Sequence, residues 1–147
     1  MISVTSSAFQ NYGMIPDQYG CNGSGINPPI SLLSLPDKTV SIALTIIDPD
    51  SPSGHFAHWV VFNIDPSVQR IEENSLPFGG VQGKNDFGHN AYGGPCPSFG
   101  THHYHFAAYA LDCKLPLYAG AKKSQLDQAM EGHILDQGEL VGTYSKK

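Results

Sequence analysis

Residues 39–48, Thr-Val-Ser-Ile-Ala-Leu-Thr-Ile-Ile-Asp, constrain the fold more than any other stretch. Val40, Ile42, Leu44 and Ile46 fall on one side of an extended chain; Ser41, Ala43, Thr45 and Ile47 fall on the other. This period-two alternation, rich in β-branched residues, predicts a strand. One face is fully apolar and the other mixed, as in a central strand of a sandwich. Residues 57–64 are nearly continuous in apolar character, which predicts a strand buried on both faces. Residues 102–111 predict a third. There His102, Tyr104, Phe106, Ala108 and Ala110 share one face, and His103, His105, Ala107, Tyr109 and Leu111 the other. A shorter run, 139–144, closes a sheet near the C-terminus.

The segments between these runs carry most of the 16 glycines and 11 prolines. The stretch 77–100 is long for a loop in one domain, and such loops are usually functional. A single helix is expected, over 124–135. Ser124 caps it, Asp127 sits in its first turn, and Leu126, Ala129, Met130, His133 and Ile134 form a core-facing stripe. No repeat or linker divides the chain, so residues 1–147 read as one domain.

Charge excludes one class of partner. The net charge is −5 and no basic stretch is present, so nothing here neutralises a row of phosphates, and nucleic acid is not an expected partner. No apolar run approaches the roughly 18 residues of a membrane-spanning helix. Residues 1–10 show neither a basic segment nor a long apolar one, so the chain reads as cytoplasmic, although an exported form with its leader removed reads the same way.

Cys21, Cys96 and Cys113 are far apart, odd in number and without a CxxC. That argues against a zinc ribbon and against a disulfide framework. Three reduced, partly buried thiols are the simpler reading; one disulfide with one free thiol is the other.

Three segments carry candidate chemistry. The first, residues 48–54, runs Asp-Pro-Asp-Ser-Pro-Ser-Gly and sends two carboxylates from the end of an apolar strand into a proline-stiffened turn. Turn residues explain most of it, but Asp48 ends a buried strand, where an unpaired acid is costly. The second is His58-Trp59. The third, residues 93–105, runs Gly-Gly-Pro-Cys-Pro-Ser-Phe-Gly-Thr-His-His-Tyr-His and fixes an unusual backbone path before a histidine-rich strand. Close approach of backbone to a ligand is one use of such a path; a complicated turn is the other.

In this order, the three segments resemble the phosphatidylethanolamine-binding protein family, also called the Raf kinase inhibitor protein family. The likeness is to its short bacterial and archaeal branch. Residues 15–19, 27–29 and 129–133 extend it over nearly the whole chain. The resemblance implies a mainly β fold, two antiparallel sheets in a Greek-key sandwich, with one or two short helices including one near the C-terminus. It implies a pocket for phosphorylated head groups and similar small anions, built from Asp48, Pro52, His58, Gly94, Pro95, His102 and Tyr104. Asp50 supports the first turn and Phe56 part of the wall. The resemblance implies no cofactor, a protein partner such as a kinase or protease, and a homodimer. His103 stands where the family usually has arginine, and Ser98 where proline is common.

The residue chemistry agrees. Imidazole N–H groups donate to phosphate oxygens, and a carboxylate holds a histidine charged or oriented. Each charge-assisted bond contributes roughly 1.5–3 kcal/mol, which points to affinities of about micromolar to millimolar. Two rivals use the same cluster. A metal site finds ligand types in Asp48, Asp50, His102, His103 and His105, but His102 and His103 point to opposite faces of their strand. A weak hydrolase finds acid–base groups but no nucleophile elbow, and residues 79–85 fall short of a phosphate loop. Asn22-Gly23-Ser24 matches a glycosylation acceptor but is explained by an Asn-Gly turn.

Overall fold

A computed structural model describes residues 1–146, and in it the three long predicted strands form the middle of a six-stranded sheet. In chain order the strands are β1 (Ser3–Thr5), β2 (Gly13–Met14), β3 (Ile30–Leu33), β4 (Ser41–Ser51), β5 (Gly54–Ile64), β6 (Arg70–Ile71), β7 (Val81–Gln82), β8 (Thr101–Leu111) and β9 (Ile134–Ser145). A 3-10 turn spans Asp17–Tyr19, and one α-helix, α1, spans Lys123–Met130. The larger sheet runs β2-β9-β8-β4-β5-β7, and the smaller runs β1-β3-β6. Strand β8 returns by a long connection to lie beside β4, so β8-β4-β5-β7 has the spatial order of a Greek key.

Alternation along β4 builds two cores. Ile42, Leu44 and Ile46 face the smaller sheet and pack with Ile30, Leu32, Trp59 and Phe106. On the other face Ala43, Val60, Phe62 and Leu111 pack under Leu126 and Met130 of the helix. The indole of buried Trp59 donates to Gln82 Oε1 at 2.7 Å.

The structure refines three expectations. Pairing is antiparallel except for β2, which runs parallel to β9 and covers part of its edge; Tyr12 N–H donates to Val141 O and Ile15 N–H to Thr143 O. The first long strand continues to Ser51, and the turn is the Pro52-Ser53 pair, closed by Gly54 at φ +95°. The helix stops at Met130 rather than reaching residue 135. Gly132, at φ +79°, turns the chain into β9, so His133 and Ile134 leave the helical stripe.

Candidate functional site

His58 owes its position to an irregularity in β5. Ile46 pairs with Trp59 and the next residue, Ile47, pairs with Ala57, which makes His58 an extra residue, a β-bulge. Ala57 and Trp59 therefore enter different cores although only two positions apart. The bulged residue is clamped by Gly93, whose N–H donates to His58 O and whose carbonyl accepts from His58 Nδ1, each at 2.8 Å. The ring lies among those of Phe56, Phe87 and Tyr104, with centroids 5.1–5.2 Å away. Burial lowers its pKa, opposed first by the Gly93 carbonyl and then by the charge of Asp48. Near neutral pH the ring is therefore uncharged, with its proton on Nδ1 and a lone pair on Nε2.

Asp48 follows Ile42, Leu44 and Ile46 on the inner face of β4 and is 3% exposed. Both of its oxygens are engaged. Oδ1 accepts from the Asp50 N–H at 2.8 Å, and Oδ2 accepts from His102 Nδ1 at 2.7 Å. The aspartate is thus not an open negative charge facing a ligand; it holds the His102 ring by Nδ1 and fixes its orientation. Tyr104, next on the same face of β8, is fully buried. Its hydroxyl has no hydrogen-bond partner, and the nearby Cys96 backbone supplies no well-formed one. Burial first, and the Asp48 charge second, keep the phenol protonated.

A cavity of about 210 Å³ opens here, lined by Asp48, Pro52, Phe56, His58, His102 and Tyr104 together with Ser51, Phe87, Cys96, Pro97 and Ser98. Six of the nine residues expected from sequence are therefore brought together. Gly94 and Pro95 lie behind the wall: a Cβ at Gly94 would come 2.8 Å from Tyr19 O, and Pro95 O accepts from Cys21 N–H at 3.0 Å. Asp50 sits outside it, accepting from the backbone N–H and Nδ1 of His103 at 2.8 Å each. Those hydrogen bonds lower its pKa.

Sequence reasoning missed Phe87 and its support. Buried Asn85 accepts from the N–H groups of Phe87 and His89 and donates to Ala91 O, holding the turn that carries the ring. Nothing local marks Phe87; the only signal was the length of the 77–100 loop. The expectation of three reduced thiols is also corrected. Cys21 and Cys96 form a disulfide across 75 residues, and Cys113 is free. Folding of the segment after the 3-10 turn onto Gly94 makes neighbours of two cysteines whose spacing gave no hint of pairing.

His103 projects from the face of β8 opposite His102 and Tyr104. Replacing it by arginine, His103→Arg, keeps a partner for Asp50 and leaves the cavity untouched. Anion affinity measured by calorimetry is expected to change less than threefold. A tenfold change, about 1.4 kcal/mol, would mean that the outer face of β8 shapes the cavity.

Two sheets, with a small cavity of aromatic walls, one aspartate and two histidines at the end of the larger sheet's central strands, define a β-sandwich of the ligand-binding kind. The sequence profile described as "Phosphatidylethanolamine-binding protein" matches residues 5–145, and the chain belongs to that family. A UPF0098 protein of Methanothermobacter thermautotrophicus is 45% identical over 99% of both chains. One from Pyrococcus horikoshii is 45% identical over 97% of this chain and 76% of its own length. Among solved structures, a putative phosphatidylethanolamine-binding protein homologue from Chlamydia trachomatis superposes with a TM-score of 0.95 at 42% identity, covering 99% of this chain and 98% of its own. YbcL of E. coli, described as a new member of the mammalian family, gives 0.92 at 29% identity over 99% of both.

Proposed function

We propose that the cavity binds small phosphate-type anions, phosphorylated head groups among them, without converting them chemically. The observation that carries this reading is the Tyr104 hydroxyl, buried and without a partner on the cavity wall. An orphaned buried hydroxyl costs roughly 1–3 kcal/mol, and a ligand oxygen accepting from it removes that penalty. His58 and His102 supply the charge when protonated. Phe56 and Phe87 exclude water from one side.

Tyr104→Phe separates ligand from fold. Removing an unsatisfied hydroxyl should leave the melting temperature equal or higher, while phosphate affinity falls about five- to twentyfold, one hydrogen bond's worth. Lower stability with intact affinity would assign the hydroxyl to the fold and sink the proposal. The broader test is calorimetric titration with phosphate, phosphoethanolamine and a phosphotyrosine peptide, each with and without a chelator. Binding that survives chelation supports the anion pocket. Turnover of a phosphoester would return the site to the hydrolase reading.

A regulatory role toward a kinase or protease, and pairing as a homodimer, rest on resemblance and are part of the same proposal. They would use the rim, where Phe87 and Phe99 are exposed. No helix is long and apolar enough to cross a membrane among the described residues. The disulfide bears on location: such bonds persist in oxidising compartments and in the cytosol of hyperthermophiles. A cytoplasmic placement is therefore proposed only for a cell of the second kind, and thiol trapping in intact cells tests it.

A further inference from the structure

At the end of β8 far from the anion pocket, a different set of side chains converges. The chain leaves β8 through Asp112 and Cys113, and the turn between α1 and β9 brings His133 against them. Asp112 N–H donates to His133 O at 3.0 Å, which fixes the two segments to each other. Ser41 Oγ donates to Cys113 O at 2.6 Å and pins the backbone beneath the thiol. His133 Nδ1 and Asp112 Oδ1 are 2.8 Å apart. One ligand atom from each of the three residues lies within 4.8 Å of the other two, and this is the one such group among the described residues.

We propose that Asp112, Cys113 and His133 form a binding site for a divalent metal ion of zinc type, separate from the anion pocket. A carboxylate oxygen, a thiolate sulfur and an imidazole nitrogen make a mixed donor set that suits zinc and its borderline neighbours, and is a poor one for calcium or magnesium. Tetrahedral zinc with bonds of about 2.0–2.3 Å places its donors roughly 3.3–3.8 Å apart, so a spacing of up to 4.8 Å needs to contract by about 1.5 Å at most, and the 2.8 Å His133–Asp112 pair to open by about 0.5 Å. Three protein ligands leave the fourth position to water. The side chains of Asp112 and His133 are 44% and 45% exposed, which provides the entry path. Cys113 is half-buried against the helix-side core, so its sulfur is held in place.

A bound cation would replace the His133–Asp112 hydrogen bond with two metal bonds; the Cys113 thiol proton would leave to solvent and the His133 proton would move from Nδ1 to Nε2. The cation's structural effect would be to tie the end of β8 to the start of β9.

Cobalt(II) titration of the chain with its disulfide intact tests the site. Only Cys113 is then available as a thiolate, so a thiolate-to-cobalt charge-transfer band reports on this sulfur alone. The expected result is a saturable band at one equivalent, displaced by zinc, absent in Cys113→Ser, and needing at least tenfold more cobalt in His133→Asn or Asp112→Asn. Zinc should also slow alkylation of Cys113 in the unmodified chain. No band, no protection, or a band indifferent to both His133→Asn and Asp112→Asn would overturn the proposal, the last because it would reveal a lone surface thiol.

Discussion

Sulfate affinity should fall at least tenfold, and up to about a hundredfold, between pH 6 and pH 8. Sulfate is the right probe because its own charge does not change in that window. The argument rests on where the histidine protons are. His58 Nδ1 donates to the Gly93 carbonyl and His102 Nδ1 donates to Asp48. In the neutral rings the remaining nitrogens, both Nε2, are acceptors and oppose an anion. They become donors only when the rings take up a second proton. Burial makes that uptake harder for His58, so the bound anion must supply the driving force. The sign follows: affinity is highest at low pH, and one proton taken up at His58 lowers it by at most about tenfold per pH unit, which sets the hundredfold ceiling. Calorimetry gives a second readout, because the apparent enthalpy will vary with the ionisation heat of the buffer. Equal affinity at both pH values, with no buffer dependence, would mean that sulfate is held by Tyr104 and backbone donors and that the histidines are bystanders.

The second large effect concerns stability. Replacing both cysteines, Cys21→Ala with Cys96→Ala, is expected to lower the melting temperature by about 5–15 °C. The bond closes a loop across 75 residues, and restricting so long a loop in the unfolded chain contributes about 2–5 kcal/mol. The double variant avoids leaving a new free thiol. Anion affinity should fall too, by a few-fold, because Cys96 lies in the cavity wall and the Gly94–Pro95 backbone leans on the segment after the 3-10 turn. Thermal melts of both forms, with and without reductant, check this. A difference under about 2 °C would show that Gly94 packing and the Cys21–Pro95 hydrogen bond hold the segments together unaided.

The middle of the sheet was legible because alternation in residues 39–48 and 102–111 survives into β4 and β8. The Asp48–His102 contact could be anticipated from cost, since a buried acid needs a partner. Helix length was overestimated because His133 and Ile134 continued the apolar stripe; Gly132 was the stop signal in plain view. The remainder had no local signature. Cysteine pairing depends on which loops meet, and Cys113, rather than either bonded residue, stayed free. Phe87 reaches the cavity through a turn organised by Asn85, whose side chain makes three hydrogen bonds that sequence spacing does not announce. In β5 the near-continuous apolar run concealed the irregularity, because a strand apolar on both faces has no in–out alternation for the extra residue His58 to break.

That irregularity makes scaffold and recognition separable. Without His58, residues 57, 59, 60, 61 and 62 would follow one another with strict alternation between the two cores. One residue has in effect been inserted into a ladder that is regular from Leu44 to Ile46, and the insertion itself provides a ring for the proposed ligand. Divergence within such a fold need not proceed by gradual remodelling of a binding surface. A three-nucleotide insertion or deletion at this codon is enough to create or erase a recognition element while the hydrophobic layers keep their register. Descendants of one ancestral sandwich can therefore gain or lose a ligand in a single genetic event, and alignments that place a gap at residue 58 would separate binding from silent relatives more sharply than overall identity does.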